Sequence, residues 1–463
     1  MRKTAALLLL LSLLCGCAAR QNPGTQAAPT TAAAGSTVSA VPAAAAGSAP
    51  SAQTGTTTSA TSGTTAVTTS SAAKAAAAVG EDYRFETDYG YSMTTVWNRS
   101  TIVEAENGYY FYVPTCMFYM DKSTMEPIPL CGKPNCLHWD EPTQAGFEAC
   151  QAYFNTVRKP LMYWYEGNLY LLAQTQVLTP SRHNEWELLR VSPDGSRRQS
   201  LFTLGENAKP EKGLLHRGVF YLMMTSYTET GEQRTGLWAW SVTDPGKKPE
   251  CLLEIERSDR YGIAQYPTAW GDCLYFVRAV SEDGQRELCI YNTVTGDLTT
   301  LPTDEDGYSP LYATFLGDEM LLEYRTYLPQ GDPGEETSFP EKVYRCSLDG
   351  KERTLLWEDY GYFAADDRYI FRVSNLYVDP ENDHFVYIYD ADGRELDRVD
   401  LHTAPEGETW RSASLHVSMD GQVFVEAIDR TYRTYLYWFD KAEIGSGQIE
   451  LRPVMDFLLE YAK

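Results

Sequence analysis

Apolar residues along this chain fall into short runs, each introduced by a tight turn, and the arrangement recurs seven times. Asn107-Gly108 precedes Tyr109 to Val113, Gly167-Asn168 precedes Leu169 to Ala173, and Arg217-Gly218 precedes Val219 to Met223. Gly271-Asp272 precedes Cys273 to Val277, and Gly317-Asp318 precedes Met320 to Tyr324. Asp366-Asp367 then precedes Tyr369 to Val373, and Asp420-Gly421 precedes Val423 to Glu426. Counted from positions 108, 167, 218, 271, 317, 367 and 421, the intervals are 59, 51, 53, 46, 50 and 54, a period near fifty.

Several copies continue with an alternating run and a second turn. These are Leu188 to Val191 with Asp194-Gly195, Val343 to Cys346 with Asp349-Gly350, and Val386 to Tyr389 with Asp392-Gly393. The Asp-Gly pairs are hairpin signals, because both central residues of a type I′ turn need positive φ. A third run follows, as in Ser200 to Leu204, Thr354 to Trp357 and Asp397 to Leu401. One less regular strand per interval completes four antiparallel strands in each unit, which is the arithmetic of a propeller blade. The expected fold is an all-β, seven-bladed β-propeller. Six blades is the alternative, if one repeat is a false match or if Tyr83 to Trp97 caps the ring with the first repeat. A pair of β-sandwiches would need no fixed period.

Residues 1–80 break this pattern. Met1 to Lys3 is a short positive end and Thr4 to Leu14 an apolar stretch too short to span a bilayer, which together read as an export signal. Leu14-Cys15-Gly16-Cys17 resembles the bacterial lipoprotein signal, in which a small residue precedes a Cys that is lipidated and becomes the new N-terminus. The resemblance implies a signal peptide over 1–16 and a lipid on Cys17, although Cys15 departs from the usual small residue. It also implies a place on the outer face of a bacterial cell membrane, held by lipid alone. Residues 17–80 are almost wholly Ala, Thr, Ser, Gly and Pro, cannot build a core, and are expected to form a disordered tether. A flexible coil of this length spans roughly 45 Å.

Charge follows the same division. Residues 1–80 hold no Asp or Glu and four of the 39 Lys and Arg, so 63 acids face 35 bases in residues 81–463. Such a surface repels phosphate backbones and anionic headgroups, which argues against nucleic acid and against a polybasic membrane contact.

The layout of turns and strands resembles bacterial propellers of the kind found in the translocation protein TolB and related envelope lipoproteins. The resemblance runs over roughly 91–455 and implies fold more than function.

The sharpest local chemistry is an insertion over 131–150, between the first two repeats. Cys131, Cys136, His138 and Cys150 have the spacing Cys-x4-Cys-x-His-x11-Cys, which suits a tetrahedral structural zinc site with three thiolates and an imidazole. The exported setting suits disulfides instead, with Cys116 as a fourth thiol, and free thiols are the third reading. Cys251, Cys273, Cys289 and Cys346 fall in apolar strands and read as buried, inert thiols. Asp304 to Gly307, Asp379 to Asp383 and Asp390 to Gly393 read as turns with solvated acids, since none completes a calcium-loop series.

No nucleophile elbow, zincin helix or phosphate loop occurs, so no catalytic residue is assigned. His183, His216, His384, His402 and His416 are scattered over several repeats, and most of the 32 Tyr and 10 Trp are expected to pack between blades. The functional expectation is a non-enzymatic envelope module that recognises an extracellular peptide, protein or glycan at the propeller mouth. A propeller hydrolase or lyase acting on polysaccharide or peptide is the alternative.

Overall fold

The computed structural model describes Tyr89–Gly90 and residues 102–455. Within that span it leaves out 114, 157–158, 178–182, 206–207, 228–232, 256–266, 281–284, 305, 327–340, 359–360, 374–383, 404–409, 419–420 and 431–432. The expected signal peptide, Cys17 and the tether lie outside the described residues.

Seven antiparallel sheets follow one another along the chain, over 102–129, 161–204, 208–255, 268–301, 308–358, 362–400 and 410–455. Each holds four consecutive strands side by side in chain order. The first strands of blades one to three touch in succession, and so do those of blades four to seven, which places them around the axis. This is the seven-bladed propeller that the fifty-residue period predicts. Each of the seven turns read from the sequence opens the second strand of a blade. Among the described residues the only α-helix is Gln144–Glu148, and no helix is long and apolar enough to cross a membrane.

Strand alternation explains why the sheets must stack. In Gly108–Val113, Tyr109, Phe111 and Val113 face a cluster shared with Phe424, Leu436 and Val454 of the seventh blade. Tyr110 and Tyr112 face the other way, into a cluster with Met162, Leu169 and Leu171 of the second. In Asn168–Val177 the pattern repeats, with Leu169 and Leu171 on one face and Tyr170 and Leu172 on the other. Successive side chains of a strand point to opposite faces, so a strand apolar throughout buries both faces only between two neighbours. Each fully buried Leu or Phe contributes roughly 1.5–3 kcal/mol.

The turns correct one expectation. Glu166-Gly167 and Arg217-Gly218 have positive φ at both positions (43° and 69°, 48° and 74°) and join directly paired residues, the type I′ pattern. The Asp-Gly pairs do not follow it: only Gly195, Gly350 and Gly393 have positive φ, while the preceding Asp stays in the ordinary region. Their N–H groups donate to Ser192, Ser347 and Asp390 carbonyls at 2.8, 2.7 and 3.0 Å, closing longer loops. The reason is the aspartate side chain. Asp194 Oδ1 accepts from Ser192 Oγ at 2.6 Å and from Ser196 N at 3.1 Å, tying the loop without a second strained residue. Those bonds, the Ser192 hydroxyl's first, hold the Asp194 carboxyl down to about 2.

Candidate metal centre

The insertion hangs from a single residue of the first blade. The outer strand Pro127–Pro129 pairs with Phe118 to Met120, and Leu130 N then donates to the Met117 carbonyl at 2.9 Å. The chain leaves the sheet and comes back where Met117 N donates to the Ala152 carbonyl at 2.8 Å. Both ends of the excursion are therefore fixed on Met117. Phe154 N donates to the Thr115 carbonyl at 2.8 Å, so the blade edge resumes after the interruption.

Inside the excursion the backbone folds tightly around four side chains. Cys136 N donates to the Lys133 carbonyl at 3.3 Å, and a single turn of 3₁₀ helix covers His138–Asp140. Thr143 Oγ1 accepts from Gly146 N at 3.0 Å and starts the short helix that leads back to Cys150. His138 has φ +55°, a conformation uncommon for a residue with a side chain and often found at functional positions.

One donor atom from each of Cys131, Cys136, His138 and Cys150 lies within 4.8 Å of all the others. His138 Nδ1 is 3.5 Å from Cys150 Sγ. In a tetrahedral zinc site, bonds of about 2.3 Å to sulfur and 2.0–2.1 Å to nitrogen put neighbouring donors roughly 3.4–3.8 Å apart. The side chains present therefore fit the ion. Four protein ligands close its coordination shell, so the chemistry on offer is structural.

Burial pushes the Cys150 thiol up to about 12, which makes the thiolate costly without a cation beside it. Burial also acts upward on Cys131, but the N–H groups of Lys133 and Gln151 and the neighbouring thiols leave it below its ordinary value. A divalent cation held by these four side chains would supply the charge that lets the remaining thiols ionise. Ala152 N donates to Cys150 Sγ at 3.3 Å, and Gly132 N to Gln151 Oε1 at 2.9 Å. Arg198 of the second blade stacks over Phe154 at 3.7 Å and donates to the Tyr153 carbonyl at 2.8 Å, bracing the return segment.

The other cysteines stand apart from this set. All eight cysteines of the described residues are unbridged thiols. Cys116 is buried at the neck, where its backbone pairs with Tyr153 and burial raises its thiol to about 11. Cys289 and Cys346 are buried as expected, with burial raising both thiols to about 12. Cys251 and Cys273 are only half-buried.

The scattered histidines divide. His216 is buried, with Nε2 2.7 Å from the Gly271 carbonyl of the next blade. His416 is buried 3.7 Å from Glu426, which also accepts from Lys159 Nζ at 2.7 Å. His384 and His402 come together, which the sequence reading missed although a signal existed: each is nine residues from Gly393, the turn of their hairpin. His183 begins a strand of the second blade. Asp304 and Asp390 cap turns, Oδ1 accepting from Tyr308 N at 2.7 Å and Arg394 N at 2.9 Å, whereas 379–383 lies outside the described residues.

One carboxyl pair converges. Glu323 and Glu341, 3% and 0% exposed, lie beside Arg325, which pairs with Glu341, and burial followed by the Glu341 charge holds Glu323 well above the ordinary carboxylate range. Glycoside hydrolysis uses carboxyls about 5–9.5 Å apart with sugar between them. This pair is sealed from solvent, with no opening for a sugar beside it.

No family model and no curated protein matches this sequence. Solved structures similar in fold include a puromycin-hydrolyzing peptidase of Mycobacterium tuberculosis, at TM-score 0.48 and 12% identity over 80% of this chain and 55% of that one. The β-propeller domain of the Trilobed protease from Pyrococcus furiosus aligns at TM-score 0.42 and 13% identity, over 63% and 83% of the two chains. Oligogalacturonate lyase in complex with manganese aligns at TM-score 0.45 and 12% identity, over 72% and 84%. This chain thus spans about half the length of the peptidase. The likenesses assign no activity, substrate or metal to it.

Proposed function

We propose that this chain is a binding module of the bacterial envelope, lipid-anchored at Cys17, whose propeller takes up an extended peptide by strand addition at the ring axis. Its partner is an extracellular protein or peptide, and the Cys131, Cys136, His138 and Cys150 knuckle is its zinc staple.

The observation that carries the reading is a fifth strand in the fourth blade. Tyr89–Gly90 pairs antiparallel with the axial strand Thr268–Trp270, Tyr89 opposite Trp270 and Gly90 opposite Ala269. Trp270 and Cys273 flank the two-residue turn Gly271-Asp272 and face each other. Backbone groups alternate in direction along an antiparallel strand, so Ala269 turns its N–H and carbonyl toward Gly90 and the axis. A first strand with one free edge is a template for any extended segment, with main-chain bonds giving affinity. Here the chain's own residues 89–90 use it.

The test compares the full chain with its Gly90→Pro variant, which removes the N–H opposite Ala269. The variant is expected to exchange the Ala269 amide faster and to bind a synthetic peptide of residues 84–95 by fluorescence anisotropy, while a scrambled peptide does not bind. Unchanged exchange together with no peptide binding would remove the axial edge as a site.

A further inference from the structure

The geometry points to a second metal site, formed by His384, Asp400 and His402 on the sixth blade, which binds a divalent transition-metal ion and leaves coordination positions open to solvent. It is separate from the thiolate knuckle and from the axial edge, and rests on neither.

The hairpin brings the three residues together. Phe385–Tyr389 and Glu395–Asp400 pair with Phe385 opposite Asp400, and Leu401 N extends the ladder by donating to the His384 carbonyl at 3.0 Å. Just past this last rung, the His384 and His402 rings stack with centroids 3.7 Å apart and planes 19° from parallel. Asp400 Oδ1 lies 3.3 Å from His384 Nε2 and accepts from His402 N at 2.8 Å. One donor atom from each residue falls within 4.8 Å of the other two.

The surroundings favour ligation. His384 is held between Phe385, at 4.4 Å, and His402. A neutral imidazole and a carboxylate are the donors that borderline cations such as Zn²⁺, Co²⁺ or Ni²⁺ prefer, whereas Ca²⁺ and Mg²⁺ take oxygen. Bonds of about 2.1 Å place adjacent donors roughly 3.0–3.4 Å apart, and the His384 to Asp400 distance already meets that. His384 is the fixed ligand, while Asp400 and His402 lie at the surface and turn onto the ion. Three protein ligands leave the remaining positions for water or for an anionic group arriving from solvent.

The test counts cobalt. Full-length protein is loaded with Co²⁺, dialysed and analysed for metal, with the thiolate-to-cobalt charge-transfer band read in parallel as the signature of the cysteine knuckle. His402→Ala truncates an exposed side chain, and Asp400→Asn keeps an oxygen that accepts from His402 N. Both variants are expected to lose one equivalent of cobalt with the charge-transfer band unchanged. The affinity for that equivalent is expected to fall by more than the roughly 10–100-fold that follows loss of a ligand's supporting hydrogen bond. Full cobalt content in both variants overturns the site, and so does loss of all cobalt in Cys131→Ser. A chain that binds a single equivalent, abolished by His402→Ala without any charge-transfer band, supports this site and counts against the knuckle alone.

Discussion

The Tyr109 hydroxyl of the first blade lies 3.0 Å from Ser418 Oγ of the last, 309 residues away in sequence. It donates to Gln422 Oε1 at 2.6 Å, and the Tyr109 ring meets Phe424 edge-on with centroids 4.8 Å apart. Among the described residues the first and last blades share no strand, and side chains such as these join them. Tyr109→Phe removes the hydroxyl's bonds to Ser418 and Gln422 and is expected to cost about 1–2 kcal/mol in denaturant unfolding. The same change at the exposed Tyr227 is expected to stay within about 0.5 kcal/mol. Equal effects at the two positions would deny Tyr109 its part in closure.

Gly167 and Gly195 share φ +69° but not surroundings. A Cβ at Gly167 meets nothing within 4 Å, whereas at Gly195 it falls 2.8 Å from the Leu130 carbonyl oxygen and Cγ. Gly167→Ala therefore carries only the left-handed strain of about 1–2 kcal/mol. Gly195→Ala adds a clash with backbone next to Cys131, and a fall in melting temperature at least twice as large is expected.

If zinc closes the insertion, elemental analysis of protein prepared without chelator finds it in the knuckle, and Cys131→Ser loses it. Limited proteolysis is then expected to cut within 131–150 while the far-ultraviolet signal of the ring persists, because both ends of the excursion remain on Met117. A metal-free protein whose thiols resist alkylation until reduction points to disulfides instead.

Acid stability should report on Glu426. Burial alone would raise its carboxyl, but His416 and Lys159 outweigh burial and hold it well below the usual 4.5. A carboxyl depressed in the folded state contributes stability that is present above about 4.5 and fades as pH falls toward the folded value. Glu426→Gln is expected to flatten that acid limb in melting curves between about pH 3 and 6. At neutral pH the lost partner costs about 3 kcal/mol, the low end for a buried pair because Lys159 is half-exposed. Glu323 works in the opposite sense: its raised carboxyl makes folding take up a proton above the ordinary carboxylate range, so Glu323→Gln removes a stability term that grows as pH falls.

Much of the ring was legible because turns and strand alternation are local. Gly317-Asp318 announces the second strand of the fifth blade from its own neighbours, and the members of the cysteine knuckle lie within twenty residues of one another. The Asp-Gly loops were misread because an aspartate side chain in each, Asp194, Asp349 or Asp390, carries the hydrogen bonds, which dipeptide preference ignores. Tyr110 and Tyr275 were expected to pack between blades. Their hydroxyls also donate to the Pro193 and Leu348 carbonyls at 2.9 and 3.2 Å, each just before an Asp-Gly loop of the next blade.

The order of turns and apolar runs by itself determined that each stretch of about fifty residues makes a sheet apolar on both faces, since side-chain direction along a strand is set by the chain's own geometry. Only the tertiary structure decided that seven such sheets close, that Tyr109 meets Ser418, and that Tyr89–Gly90 adds to Thr268–Trp270. Those pairings join residues whose separation carries no periodic mark, and they exist because surfaces buried from water must find partners wherever the closed ring brings them.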